Sequence, residues 1–309
     1  MAAEVETMFY VREAPWHGLG TRVEEALTSK EALIASGLNW KVEQKEIFTE
    51  DGVTVQGYYA NVRNTDYKVL GVVTNRYQIV QNSEAFAFTD SLIENGVKYE
   101  TAGALKDGKK TWILARLPET YRMVDDKVVP YIVFSNSHDG AGAIKVAMTP
   151  VRVVCQNTLN LALNTASRIW STNHTGDIDS KMDDAKMTLF MAKSYMSELT
   201  KEAKRLNARK VLDDEVEEYI KELLPIPTNA SELMERNVIN LRNDMRMRYF
   251  YAPDLQHVGN NGYRFINAVS DFATHAKPLR ETASYKENLF LKTMEGNPLI
   301  DKAHQLLAM

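Results

Sequence analysis

Much of what this chain cannot be follows from what it lacks. Its 309 residues hold one cysteine, Cys155, so an intramolecular disulfide is excluded and a reducing compartment is expected. No apolar run approaches the roughly 20 residues a transmembrane helix needs. The acidic first residues lack an apolar signal core. The expectation is a cytoplasmic protein with no membrane partner. The glycine-rich phosphate signatures GxxxxGK[ST] and GxGxxG are missing. His17, His138, His174, His257, His275 and His304 show no HxH, HxxxH or HExxH spacing. Asp177 and Asp179 near His174 are only two carboxylates in a loop, a weak metal set. No cofactor and no metal are therefore expected. A net charge of −4 supplies no general attraction for nucleic acid, so phosphate binding would need a local basic face. Internal repeats and low-complexity segments are absent too.

What is present is an ordinary globular composition, 44% hydrophobic and 25% charged, with length for about two domains. Residues 148–166 organise the reading. Val151, Val153 and Val154 favour a strand. Leu159, Ala162, Leu163 and Ala166 then fall on one helix face, with Gln156 or Asn157 at the junction. Asn160, Asn164, Ser167 and Arg168 would line the polar face of that helix, a place to meet an anion.

Ahead of it, Pro15, Gly18 and Gly20 make a loop anchored by Trp16. Thr28 and Glu31 have capping-box spacing, and Gly37 closes that helix. Residues 40–48 and 53–62 alternate about Asp51-Gly52, a hairpin signal. Residues 67–80 hold a strand and a turn at Asn75-Arg76. Ser83 caps a helix with Phe86, Phe88, Leu92 and Ile93 apolar. Residues 97–117 form a hairpin about Lys106-Asp107-Gly108. Residues 128–134 and 143–155 are further strands, with Pro150 implying an edge or a bulge. This order predicts an α+β fold: a curved antiparallel sheet with helices packed on one face, followed by a mostly helical C-terminal half. The expected domains are 1–170 and 171–309, the second packed on the first.

In the helical half, Met182, Ala185, Leu189, Ala192, Met196, Leu199, Ala203 and Leu206 alternate at spacings of three and four, a coiled-coil seam. A seam that long predicts a homo-oligomer. Asp213 opens another helix with Val216, Ile220 and Leu223 inward. Asn229 and Glu232 have capping-box spacing, and Met234, Val238, Leu241 and Met245 are expected inward. Phe265, Val269, Phe272 and Ala276 share a face. Asn297-Pro298 starts the last helix.

Three constellations could carry chemistry. Between positions 236 and 264, five arginines face two aspartates, with Tyr249, Phe250, Tyr251 and Tyr263 interleaved. Guanidinium groups for phosphates and aromatic faces for bases suit single-stranded nucleic acid. Arg152, Arg242, Arg246, Arg248 and Arg264 would contact phosphates, and Tyr249 and Tyr251 would stack. The plainer account pairs the arginines with acids elsewhere and places the aromatics in the core. Lys201, Lys204, Arg205, Arg209 and Lys210 form a second basic run, which also suits a solvated helix C-terminus. Cys155 before a helix N-terminus, with His138 on the preceding turn, sketches a nucleophile and base. A structural cysteine is the simpler account, and no enzyme is expected.

Pro15 to Gly20, residues 67–73 with Arg76-Tyr77 and Gln81-Asn82, residues 150–159, residues 267–272 and Asn288-Leu289 resemble the phage/plasmid-like protein family, a domain of unknown function (number 932). The likeness implies a mobile-element gene in a bacterial host and brings no catalytic residues. The order of elements is also similar to that of phage single-strand annealing proteins, at the level of fold only. Together these predict a mobile-element protein that binds single-stranded nucleic acid as an oligomer, and so anneals or recombines it. The alternative is an interaction protein that blocks a host factor such as a defence nuclease.

Overall fold

The structure, a computed structural model, describes residues 5–11, 21–25, 27–92, 98–152, 168–278, 292 and 296–308; side chains of residues 5, 92, 151–152, 179 and 186–193 lie outside that description. The fold is α+β, as expected, and the chain forms two compact units. One comprises Met1–Pro118, Tyr131–Met148 and Ala166–Ala192; the other comprises Glu119–Pro130, Thr149–Thr165 and Lys193–Met309.

In the first unit the large sheet has the order β11-β10-β9-β7-β6-β1-β2. Its strands are β1 (Val5–Val11), β2 (Thr21–Val23), β6 (Lys98–Leu105), β7 (Lys110–Arg116), β9 (Asp126–Ser137), β10 (Ile144–Arg152) and β11 (Ile169–Thr172). The β6–β7 turn places Lys106, Asp107 and Gly108 at φ 52, 58 and 86, the left-handed run that a twisted hairpin requires. Pairing is antiparallel along β1–β6–β7–β9 and between β10 and β11, but β1 and β2 are parallel. Neither β1 nor β11 was expected. Their partners decide them more than their own pattern does. Pro150 lies beyond the end of β11, whose pairing stops at Ala147↔Ile169, so its missing N–H disturbs none of that ladder.

The hairpin about Gly52 does not join the large sheet. β3 (Val42–Phe48), β4 (Thr54–Arg63) and β5 (Val69–Thr74) make a sheet of their own. The single expected sheet is thus two, because register within the hairpin says nothing of which sheet accepts it. The side-chain amide of Gln81 occupies the outer edge of β3. It accepts from Val42 N at 3.0 Å and donates to Val42 O at 2.8 Å, as a neighbouring strand would.

The core of this unit gathers Phe9, Trp40, Phe86, Tyr99, Ile132 and Phe134 with side chains of three helices. Each such burial contributes about 1.5–3 kcal/mol. Helix α1 (Ser29–Ala35) opens with the expected Thr28–Glu31 capping box and is followed by Gly37 at φ 67. Helix α2 (Asn82–Leu92) begins one residue early. Gln81 N donates to Glu84 Oε2 at 2.8 Å, so the start falls there and not at Ser83.

In the second unit β8 (Tyr121–Met123) pairs with the first residues of β9. The rest is helical: α4 (Asp213–Leu223), α5 (Glu232–Tyr251), α6 (Gly262–His275) and α7 (Pro298–Ala308). Val216, Ile220 and Leu223 are buried as expected, and so are Phe265, Val269 and Phe272. Asn297 accepts from Leu299 N at 3.0 Å and caps α7. Helix α5 is capped by Ser231, whose hydroxyl accepts from Met234 N, and not by Asn229. Its expected inward set is only partly right, since Met245 is buried but Met234 is 47% exposed.

The long helix α3 (Ile178–Ala208) is as long as the seam implied. Met182 and Ala185 belong to the core of the first unit, and Met196, Leu199, Ala203 and Leu206 are buried as well. The side chains of Leu189 and Ala192 lie outside the description. The described part of the seam is therefore covered by its own chain. Of the stretch 148–166, the strand is seen through Arg152 and the rest lies outside the described residues. Arg168 is corrected: it sits in a turn, 1% exposed, with its guanidinium donating to Met148 O at 3.2 Å, and not on a solvated helix face.

Candidate functional site

The arginines expected to meet phosphate hold the second unit together. Arg242 Nε donates to Leu224 O at 2.9 Å, and a terminal nitrogen donates to Lys221 O at 3.4 Å, closing carbonyls left open at the end of α4. Arg246 grips the Glu217 carboxylate in a two-pronged pair, which holds that carboxyl below its ordinary range. Arg248 spans Asp244 at 3.1 Å and Asp271 at 2.5 Å. Arg264 is buried and donates to the carbonyls of Tyr249 at 2.8 Å, Val258 at 3.0 Å and Phe250 at 3.2 Å. Its Cζ also lies 5.2 Å from the ring centroid of Tyr249.

Tyr249 itself is fully buried, and burial pushes its hydroxyl up to about 12. It cannot stack on a base. Tyr251, 66% exposed, is the one predicted site residue among those described that offers a large face to solvent. The side chain of Arg152 lies outside the description. Of the arginines' acidic partners, Asp244 is four positions from Arg248, and the others, which sequence reasoning could not name, are distant along the chain. Glu217 is 29 positions from Arg246 and Asp271 is 23 from Arg248.

A second polar cluster lies in the first unit, about the turn that follows β9. Asn61 Nδ2 donates to His138 O at 2.8 Å, and the Tyr77 hydroxyl donates to Ser137 O at 2.6 Å. Asn136 Nδ2 donates to Val80 O at 2.9 Å. His138 Nε2 lies 3.1 Å from Asn82 Oδ1. The Asn82 amide nitrogen donates to Leu38 O, which fixes Oδ1 as the acceptor and puts the imidazole proton on Nε2. Burial drives the His138 pKa down to about 3, so the ring is neutral. Trp40 meets it edge-on at 5.4 Å, and Tyr77 stacks on His174 at 4.5 Å. Gly71 permits the approach: a Cβ there would come within 2.5 Å of Asp139 Cα. With His138 0% exposed, this is a packing hub and not a base facing a substrate. Cys155, its suggested nucleophilic partner, lies outside the described residues, as does His17. Among the described residues no group of three or more His, Cys, Asp or Glu could hold a metal ion.

Residues 69–293, well over half the chain, match the family described as a domain of unknown function, DUF932. The chain belongs to that family. No curated protein and no solved structure matches it. In this DUF932 protein the matched span opens at β5 and takes in Gly71, Tyr77, Gln81, Asn82 and His138. Gly71, Tyr77, Gln81 and Asn82, which also carry the resemblance, each have a structural task here: a close approach, a hydrogen bond to the turn, an edge closure and a fixed imidazole. The match also spans the four arginines of the second unit, while β3 and β4 lie ahead of it.

Among the described residues, large apolar side chains stand exposed on α5 and on the small sheet, among other places. On α5 they are Leu233, Met234, Ile239, Met247 and Tyr251; on the small sheet they are Tyr58, Val69 and Val72 with Tyr67 beside them.

Proposed function

We propose that this is a non-enzymatic interaction protein of a mobile element, which binds a host protein through the outer side of α5. The supporting observation is that α5 is apolar on both sides. Met245 and Tyr249 are buried, yet Leu233, Met247 and Tyr251, which the helical repeat sets on the opposite side, stand in solvent. Large apolar side chains on a helix that is already packed on its other side are what a protein partner covers, and methionine adapts readily to such a partner. The mobile-element setting rests on the resemblance to the phage/plasmid-like family.

Single-stranded nucleic acid is the rival partner. It would need the guanidinium groups of Arg242, Arg246, Arg248 and Arg264, and each already donates to a carbonyl or a carboxylate of the same chain. Affinity capture from host lysate, compared between wild type and Leu233→Asp with Met247→Asp, tests the proposal. A stoichiometric protein held by wild type and lost with the double variant supports it. A labelled oligonucleotide bound with steep salt dependence would overturn it in favour of nucleic acid.

A further inference from the structure

The small sheet has one packed face and one open face. Paired residues of neighbouring strands share a face. Asn61↔Gly71 and Tyr59↔Val73 belong to the side that carries the His138 hub. The other side is built from Glu43, Lys45, Tyr58, Ala60, Val69, Val72 and Thr74, with Val62 buried where Glu43 and Val69 pair with it, so the open part of the face runs from there toward Tyr58 and Thr74. An antiparallel sheet that meets water on one side normally turns polar residues outward. Here Val69 is 53% exposed and Val72 56% exposed, where polar residues would be expected.

Tyr67 adds a second anomaly. It holds φ at 58 and is 77% exposed. A bulky residue is rare in that left-handed region and lies there under strain. Tyr67 lies in the turn between β4 and β5, two positions ahead of Val69. The charges on the face are Glu43 and Lys45, 2.7 Å apart. A face that carries one charge of each sign, already paired, attracts neither a polyanion nor a basic partner. It is, however, complementary to itself. Two copies related by a two-fold axis near this pair would set Glu43 of each opposite Lys45 of the other, with valines and tyrosines closing around them.

We infer that the open face of β3–β4–β5 is a homodimer interface, with a second copy of this chain as its occupant. This goes beyond the host-protein reading, which concerns α5. A failure here leaves that reading standing.

The experiment is a charge-swap mixing series on the full chain, read by light scattering after size-exclusion chromatography. Wild type is expected at twice its 35.0 kDa mass. Glu43→Lys alone and Lys45→Glu alone each place like charges across the axis, and their dissociation constants should rise at least ~10-fold. Mixing the two variants should restore a dimer, as heterodimer. Val72→Glu should remain monomeric in every mixture. A wild-type mass near 35.0 kDa at all concentrations overturns the inference. So does either single variant dimerising as wild type does. Because the heterodimer reappears only from folded protein, misfolding cannot mimic the expected result.

Discussion

The polar cluster described in each unit is built from different chemistry, although Arg63 and Arg168 are buried guanidinium groups of the first unit as well. In the first, the turn after β9 is held by neutral groups, the amides of Asn61, Asn82 and Asn136, the Tyr77 hydroxyl and an uncharged His138. In the second, the helices are tied by guanidinium groups, from fully enclosed Arg264 to partly exposed Arg246. A neutral network stays neutral only while pH permits. A cationic network keeps its charge at any ordinary pH, but each guanidinium must find acceptors. The first unit should therefore lose stability first as pH falls below about 6.5, because the carboxylate partners in the second, Glu217 among them, protonate only at lower pH. The second should be sensitive to losing single side chains, in proportion to their burial.

The largest expected effect breaks the second network at its most enclosed point. Arg264→Ala strands the carbonyls of Tyr249, Phe250 and Val258, and should cost on the order of 3–5 kcal/mol. Urea unfolding followed by helical circular dichroism measures it. Arg264→Lys should not restore stability, since one ammonium cannot span the three carbonyls.

Acid titration sharpens the contrast next. His138 is held at about 3 and His174 is also lowered, both chiefly by burial, against about 6.5 when unfolded. A depressed histidine pKa means the unfolded chain binds the proton first. Stability is then complete above pH ~6.5 and falls as pH drops from there toward 3. Trp40, Trp112 and Trp170 lie in the first unit, and the stretches of the second contain no tryptophan. Tryptophan fluorescence should thus report acid unfolding of the first unit, and Asn82→Ala should move its midpoint to higher pH. Equal acid sensitivity of the helical signal and the fluorescence would erase the distinction.

Smaller effects follow at the surface. Arg246 is 36% exposed, so Arg246→Ala should cost no more than about 1 kcal/mol. With Arg242→Ala added, oligonucleotide binding by fluorescence anisotropy should not change. A several-fold loss in a folded double variant would show that these guanidinium groups leave their partners for phosphate. Smallest, Tyr67→Asn should raise stability by about 1 kcal/mol, because asparagine tolerates the left-handed region. The same change should weaken the dimer.

Local elements were legible in proportion to how local their causes are. The Thr28–Glu31 box, the Lys106-Asp107-Gly108 turn and the Asn297-Pro298 start each depend on neighbours within a few residues. All three stand where they were expected. The inward faces of α4 and α6 were readable for the same reason. The site was much less so. Arg242, Arg246, Arg248 and Arg264 form a basic and aromatic cluster in sequence, but a guanidinium selects its acceptor through space. The periodicity of α3 showed that its seam would be buried and could not show by what. Likewise, the alternation in β3 and β4 marked a hairpin without saying which sheet would hold it.

From the sequence alone came the α+β class, most helices, the hairpin turns, the missing metal and phosphate motifs and the family resemblance. These rest on spacing and on short-range hydrogen bonding. The tertiary structure alone decided that Tyr249 is core, that His138 is neutral, and that Gln81 closes an edge. It also decided that apolar surface is left on α5 and on one face of β3–β4–β5. The physical reason is that burial, and the desolvation and pairing that come with it, belong to groups brought together from distant parts of the chain, which no local pattern encodes.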